Sequence, residues 1–276
     1  MKRIFFYLIA LFWFASCYSP RYVYSPSTLN IPALTKKGNV KVAVYGATSA
    51  GRTGGLANPS GSSAGTDIQL AYAFNKHFAG MINQYNRWEN NQNDNDVFPG
   101  DSIFIKYFRN LTEFGLGYFK VLGDSNSIFQ VFGGIATGKF TITERNASNN
   151  VNFNRFHNSH VTKIFIQPAI IAGVNKNFTG SFASRFSAVY YSNIKTNYTK
   201  QEQENYFLTD LSRSPVFFWE PALDFGIGFK KLRGVKFNFQ LGLSVLINKR
   251  FIDYRTLNFG FGVVSDLKFK KSTTEH

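Results

Sequence analysis

The stretch Gly234-Val235-Lys236-Phe237-Asn238-Phe239-Gln240-Leu241-Gly242-Leu243-Ser244-Val245-Leu246-Ile247-Asn248 decides the fold. Its odd positions, from Val235 to Ile247, are all large and apolar. Its even positions, Lys236, Asn238, Gln240, Gly242 and Ser244, are polar or tiny, with Leu246 the one exception. A period of two puts successive side chains on opposite faces of a strand, which helical spacing cannot do. The run is much longer than the roughly five or six residues usual for a soluble strand. About ten residues, greasy on one face and polar on the other, is what a tilted strand crossing a bilayer requires.

Nine further segments carry the same pattern with varying clarity. Residues 38–48 show Val40, Val42 and Val44 on one face, and residues 66–75 set Ile68, Leu70, Tyr72 and Phe74 against Asp67, Gln69, Ala71 and Ala73. Residues 78–88 alternate only weakly. Residues 111–122 place Phe114, Leu116 and Tyr118 opposite Glu113, Gly115 and Gly117. Over 127–143, Phe129, Val131 and Ile135 are read as outward, which sets Gly134 and Gly138 inside. Residues 161–175 show Ile164, Ile166, Ile170 and Val174. Residues 178–194 show Phe178, Phe182, Phe186 and Tyr190 with Arg185 opposite. Residues 216–230 show Phe217, Trp219, Leu223, Phe225, Ile227 and Phe229 with Glu220 and Asp224 opposite. Residues 255–269, with Leu257, Phe259, Phe261, Val263, Leu267 and Phe269, close the set.

The connections alternate as well. Residues 75–77, 123–126, 175–177 and 231–234 are tight turns, while 49–65, 89–110, 144–160 and 195–215 are long and rich in Gly, Asn or Ser. Only 249–254 breaks the alternation by being short. An even number of strands, short turns on one rim and long loops on the other is the plan of an antiparallel up-and-down transmembrane β-barrel. Both ends of the barrel then fall on the short-turn rim.

Orientation follows from volume. Ten strands with their aromatic faces inward would overfill a barrel of this girth and leave the glycines packing nothing. With the aromatic face toward lipid, closure leaves no unsatisfied edge. The lumen then holds Asp67, Glu113, Arg185, Glu220, Asp224 and Lys236, with Asp266, as a paired charge network. Phe74, Phe78, Phe119, Phe229, Phe237 and Phe269 near the turns read as one interfacial girdle. Trp88, Trp219, Tyr190, Tyr191, Phe251 and Tyr254 near the loops read as the other.

Composition agrees. The 276 residues include 31 Phe, 14 Tyr and 23 Gly, a β-rich balance. Lys and Arg number 31 against 16 Asp and Glu, a formal charge of +15 that calls for anionic neighbours. Lys36, Lys37, Lys76, Lys120, Lys176, Lys230, Lys231, Arg233, Lys268, Lys270 and Lys271 fall near the short-turn rim, where each would gain about 1 kcal/mol beside anionic head groups. No nucleic-acid-binding motif is visible, so nucleic acid is set aside as a partner. No cofactor or metal motif is visible either. His157 and His160 form the one histidine pair, and a loop-end hydrolase built on them is the weakest functional reading.

The amino terminus has its own logic. Lys2-Arg3, the apolar run from Ile4 to Phe14 and the small residues Ala15 and Ser16 read as a signal peptide over 1–16. Phe14-Ala15-Ser16-Cys17 resembles the bacterial lipobox, with Phe14 where leucine is usual. That resemblance implies acylation of Cys17, the only cysteine, and a lipid-anchored chain. Each buried acyl methylene contributes about 0.8 kcal/mol. Residues 17–37 carry Pro20, Pro26 and Pro32 and read as an extended periplasmic tether, followed by the barrel over 38–270 and a polar tail over 271–276. The absence of acids directly after Cys17 favours an anchor in the inner leaflet.

As a whole the chain resembles small outer-membrane β-barrel proteins of the lipoprotein type from Gram-negative bacteria. The resemblance implies the cell outer membrane as location. Its implied partners are membrane lipid, anionic head groups and the barrel insertion machinery, with any surface ligand unspecified. The expected function is non-enzymatic, structural or surface-interacting, and a narrow solute pore is the first alternative.

Overall fold

The computed structural model describes residues 23–51, 61–94, 102–123, 126–147, 152–174, 177–229, 231, 234–248 and 252–268. Cys17, Phe251, Phe269 and the tail 271–276 lie outside the described residues. Ten strands make the wall: β1 Asn39–Ala50, β2 Gly61–Ala73, β3 Phe78–Asp94, β4 Ser102–Val121 and β5 Ser127–Ala147. They continue as β6 Asn152–Ala172, β7 Phe178–Thr196, β8 Val216–Gly228, β9 Val235–Leu243 and β10 Leu257–Lys268. Each pairs antiparallel with its sequence neighbours, and β10 pairs back onto β1 from Leu257↔Ala50 to Lys268↔Asn39. The sheet therefore closes with no free edge, the only strand solution open to a backbone surrounded by hydrocarbon.

Alternation decides which way each residue points. Along β9, Phe237, Phe239 and Leu243 face out while Asn238 and Gln240 are buried. β9 breaks at Ser244 and resumes as the pair Val245–Leu246, opposite the part of β8 that contains Pro221. Proline has no N–H to give the ladder. Ser244 instead donates its own N–H to the Thr256 carbonyl at 2.8 Å.

The outward face is a continuous apolar belt, with Ile166 52 % and Phe261 64 % exposed in the isolated chain. A soluble protein hides such residues; a bilayer solvates them. Among the described outward positions of the strands the only Lys or Arg are Lys106, Lys120, Lys139, Arg145 and Lys195, and no Asp or Glu is found there. On β5 the residues expected outside, Phe129 and Ile135, are exposed, and Gly134 and Gly138 face in. A Cβ at Gly138 would collide with the Asn110 carbonyl of β4, and one at Gly134 with that of Phe114, so only glycine lets β4 and β5 approach here.

Three expectations need correction. Much of the supposed long loops 89–110 and 144–160 is strand, because β3, β4, β5 and β6 run to 17, 20, 21 and 21 residues. Burial still alternates along their upper parts, with Glu89, Ile105, Tyr107, Ile142 and Glu144 turned inward, but polar and apolar residues occur on both faces, as in Glu89-Asn90 and Phe104-Ile105, so the sequence shows no apolar alternation to read. Phe119, Tyr191 and Val174 do not lie on the outer surface as the sequence predicts: Phe119 and Tyr191 are buried inside and Val174 packs against an interior cluster. Tyr254 likewise packs inward, edge-on to Phe218. Near a strand end only one or two residues report the parity.

Residues 24–35 are not a free tether: they run inside the barrel, and almost all of residues 24–34 is buried. Val23–Tyr24 pairs in parallel with Asp253–Tyr254, in the β9–β10 connection at the long-loop rim. At the other end the Thr35 amide and hydroxyl bond Asn39 Oδ1, at the base of β1 on the short-turn rim. The prolines do keep this segment out of a ladder, as expected. Its backbone groups are satisfied by lumen side chains instead.

Phe261 pairs between Phe239 and Gly46 in the middle of the lipid belt. Phe261→Arg is expected to cost about 2–4 kcal/mol, as cationic residues do at a barrel's midplane. Reversible urea unfolding in phospholipid vesicles would measure it.

Candidate functional site

Among the described residues, ionisable side chains converge in the lumen, whose walls come from every strand. Arg87 on β3 grips Asp67 on β2, with Nη2 to Oδ2 at 2.8 Å, and both are buried. Arg185 on β7 holds Glu113 on β4 through two bonds, Nη1–Oε2 2.9 Å and Nη2–Oε1 3.0 Å. Its guanidinium also lies 4.3 Å from the Phe165 ring centroid and donates to Gln167 Oε1. Lys163 on β6 pairs with Glu220 on β8 at 2.8 Å, and Arg255 with Glu89 at 3.0 Å. Buried charges are tolerated only when paired and hydrogen-bonded, which is the case for these pairs.

The N-terminal segment completes the network. Tyr24 donates to Glu220 Oε1 at 2.8 Å, accepts from Lys163 Nζ at 3.0 Å, and stacks on Phe218 with centroids 4.2 Å apart. The Arg109 guanidinium lies 4.7 Å from the centroid of the same ring. Ser25 bonds Glu89, and the Thr28 amide donates to Asp67 Oδ2 at 2.9 Å. Gln240 clamps the Leu29 backbone, its Oε1 accepting from the amide at 2.5 Å and its Nε2 donating to the carbonyl at 3.0 Å. Asn30 is the hub: it donates to Asn83 Oδ1 at 2.7 Å, accepts from Lys41 Nζ at 3.1 Å, and its carbonyl accepts from Gln167 at 2.8 Å. Asn83 in turn donates to Glu113 at 2.8 Å, so the segment is bonded into the Arg185 pair.

Two apolar clusters lie on either side of this polar layer. Leu29, Ile31 and Leu34 pack with Met81, Phe119, Phe132 and Phe165 toward the short turns. Tyr24 packs with Ile142, Tyr191, Phe218 and Ile252 toward the loops, joined by Tyr198, Leu208 and Leu211 of the β7–β8 connection. That connection contains the short helix α1, Lys200–Asn205, whose Thr199 and Glu202 form a reciprocal capping box. Partial burial pulls the Glu202 carboxyl upward, but the Thr199 amide and hydroxyl and the Arg155 guanidinium outweigh it and hold it below the usual carboxylate range. Arg155 of β6 reaches Glu202 at 3.0 Å, tying the loop to the wall.

Of the residues predicted for the network, Asp67, Glu113, Arg185, Glu220 and Asp224 are buried in the lumen. Their pairing is specific. Arg185 takes Glu113 and leaves Glu220 to Lys163. Asp224 accepts from Asn238 Nδ2 at 2.7 Å, and Lys236 meets Asp266 at 3.9 Å at the short-turn rim. Lys163, Arg87, Glu89, Arg109, Arg255 and Lys41 escaped sequence reasoning. Lys163 sits at an inward position between Ile164 and Thr162, and its parity was the available signal. His157 and His160 point to opposite faces of β6: His157 is buried inside, and His160 Nε2 lies 2.9 Å from the Thr137 hydroxyl outside. They cannot share one substrate or metal. Among the described residues no cluster of three His, Cys, Asp or Glu is placed to hold a metal.

Glu113→Gln strands the Arg185 charge in a dry lumen and is expected to cost about 3–5 kcal/mol. Replacing both partners with apolar residues, Glu113→Leu with Arg185→Met, is expected to recover most of that loss. The urea midpoints of the three proteins would test this ordering.

No protein-family model matches the chain, and no curated protein matches it in sequence. Solved structures do share its architecture. The translocator domain of the autotransporter NalP from Neisseria meningitidis aligns with a TM-score of 0.48 at 9 % identity, over 84 % of this chain and 89 % of that one. The outer-membrane protease OmpT from Escherichia coli gives 0.43 at 8 %, over 87 % and 99 %. The attachment invasion locus protein Ail of Yersinia pestis gives 0.33 at 10 %, over 84 % and 99 %. The chain is a closed, antiparallel, ten-stranded β-barrel whose apolar outward face fits it to a membrane.

Proposed function

We propose that this protein is a non-enzymatic outer-membrane β-barrel lipoprotein with a sealed lumen and a structural or surface-interacting role. One observation carries the reading: residues 24–34 fill the bore and are bonded to opposite walls. A pore needs a continuous aqueous path, and here polar lumen groups that could line one are engaged with each other and with the segment. The absence of a shared face for His157 and His160 weighs against hydrolysis at the loop end. The surface available to partners is the outer face of the long-loop rim, where Lys106 and Arg145 flank Phe104 and Phe156. On the opposite rim the exposed Lys36, Lys37, Lys76, Lys120 and Lys231 suit anionic head groups. Insertion would rest on the usual barrel assembly machinery, and the lipobox-like Cys17 would supply the anchor.

Planar-bilayer recording tests this reading against the solute pore. The full chain is expected to give no sustained conductance, and Tyr24→Ala combined with Asn30→Ala, which loosens the segment, to give openings. Sustained conductance from the unmodified chain would overturn the sealed-barrel reading in favour of a pore.

A further inference from the structure

The direction of the N-terminal segment has a topological consequence. The barrel wall begins at Asn39 on the short-turn rim, yet the chain just before it climbs the whole bore. It reaches the long-loop rim at Val23–Tyr24, beside Asp253–Tyr254 and beneath Tyr198 and Leu208. We propose that the barrel is threaded by its own amino terminus, so that the chain upstream of Val23 is delivered to the long-loop face, which in outer-membrane barrels is the cell exterior.

Distance enforces the assignment. Cys17 lies six residues before Val23, and an extended chain spans at most about 3.3–3.6 Å per residue, so it reaches about 20 Å from the rim. The hydrocarbon layer is about 30 Å thick. A chain of that reach cannot return to the opposite leaflet around the outside of the barrel, and the bore is already full. Resting on the lipoprotein reading proposed above, the inference then places the acyl anchor in the outer leaflet, opposite to the inner-leaflet position expected from the lack of acids after Cys17. It also requires the sheet to close around a segment already lying in the lumen, because an acylated end would have to pass dry charge pairs to enter later.

The test compares three single epitope insertions in the full chain: immediately before Val23, after Lys76 in a short turn, and after Glu204 in α1. The Val23 epitope is expected to bind antibody equally on intact and permeabilised cells, like the Glu204 reference, while the Lys76 epitope needs permeabilisation. Detection of the Val23 epitope only after permeabilisation would overturn the threading. Should the insertion prevent folding, Val23→Cys with Asp253→Cys serves instead. Adjacent strands lie about 4.8 Å apart, within disulfide reach, so the threaded chain is expected to cross-link in folded, heat-modifiable barrel. A folded barrel without the cross-link would equally overturn the proposal. The mass of the N-terminal peptide reports acylation of Cys17 separately. An unmodified Cys17 would refute the lipoprotein reading and the anchor's leaflet, while the epitope still decides the side on which the chain emerges.

Discussion

Desolvated charge governs this molecule. A closed barrel of ten strands whose outward face is given to lipid has to put its ionisable residues inside, and there they lose most of their water. Each carboxylate in the bore must then find a cation or several donors, since an isolated buried ion costs far more than any other defect. The wall alone provides part of the answer through Arg87 with Asp67, Arg185 with Glu113 and Lys163 with Glu220. The N-terminal segment provides the rest, placing a phenol on Glu220, an amide on Asp67 and Asn30 between Lys41 and Asn83.

The segment is suited to that position by what it lacks. Pro26 and Pro32 have no N–H to satisfy, so fewer backbone donors enter the dry bore than in an ordinary chain of this length. The carbonyl of Pro26 still accepts from Arg87 Nε at 3.3 Å, and that of Pro32 from the Leu34 amide at 3.0 Å. Ser25, Thr28 and Asn30 supply short polar side chains, while Leu29, Ile31 and Leu34 supply the grease for the lower cluster. The result resembles the inside of a soluble domain: apolar, then polar, then apolar along the axis.

The loop end follows the same logic on a smaller scale. Tyr198, Leu208 and Leu211 fold down onto Tyr24 and Phe218, so the mouth is covered by the connection that also holds α1. The capping box and the Arg155–Glu202 pair give that cover a fixed anchorage on β6.

The sequence by itself determined the wall. Parity along Val235 to Ile247, or along Phe178 to Tyr190, says which residues meet lipid, because in a strand that choice depends only on position modulo two. It also determined that Asp67, Glu113, Arg185, Glu220 and Asp224 are interior. It could not extend that reading to the upper parts of β3 to β6, where Phe104 outside and Ile105 inside, or Asn90 outside and Glu89 inside, leave no contrast of polarity between the faces. Tertiary structure alone decided who pairs with whom and what fills the bore. Gln240 and Leu29, for example, are separated by 211 residues. A side chain reaching a backbone amide across a barrel leaves no periodic trace in either segment, and an extended run of Ser, Thr, Asn and Pro reads the same whether water or a ring of charges surrounds it.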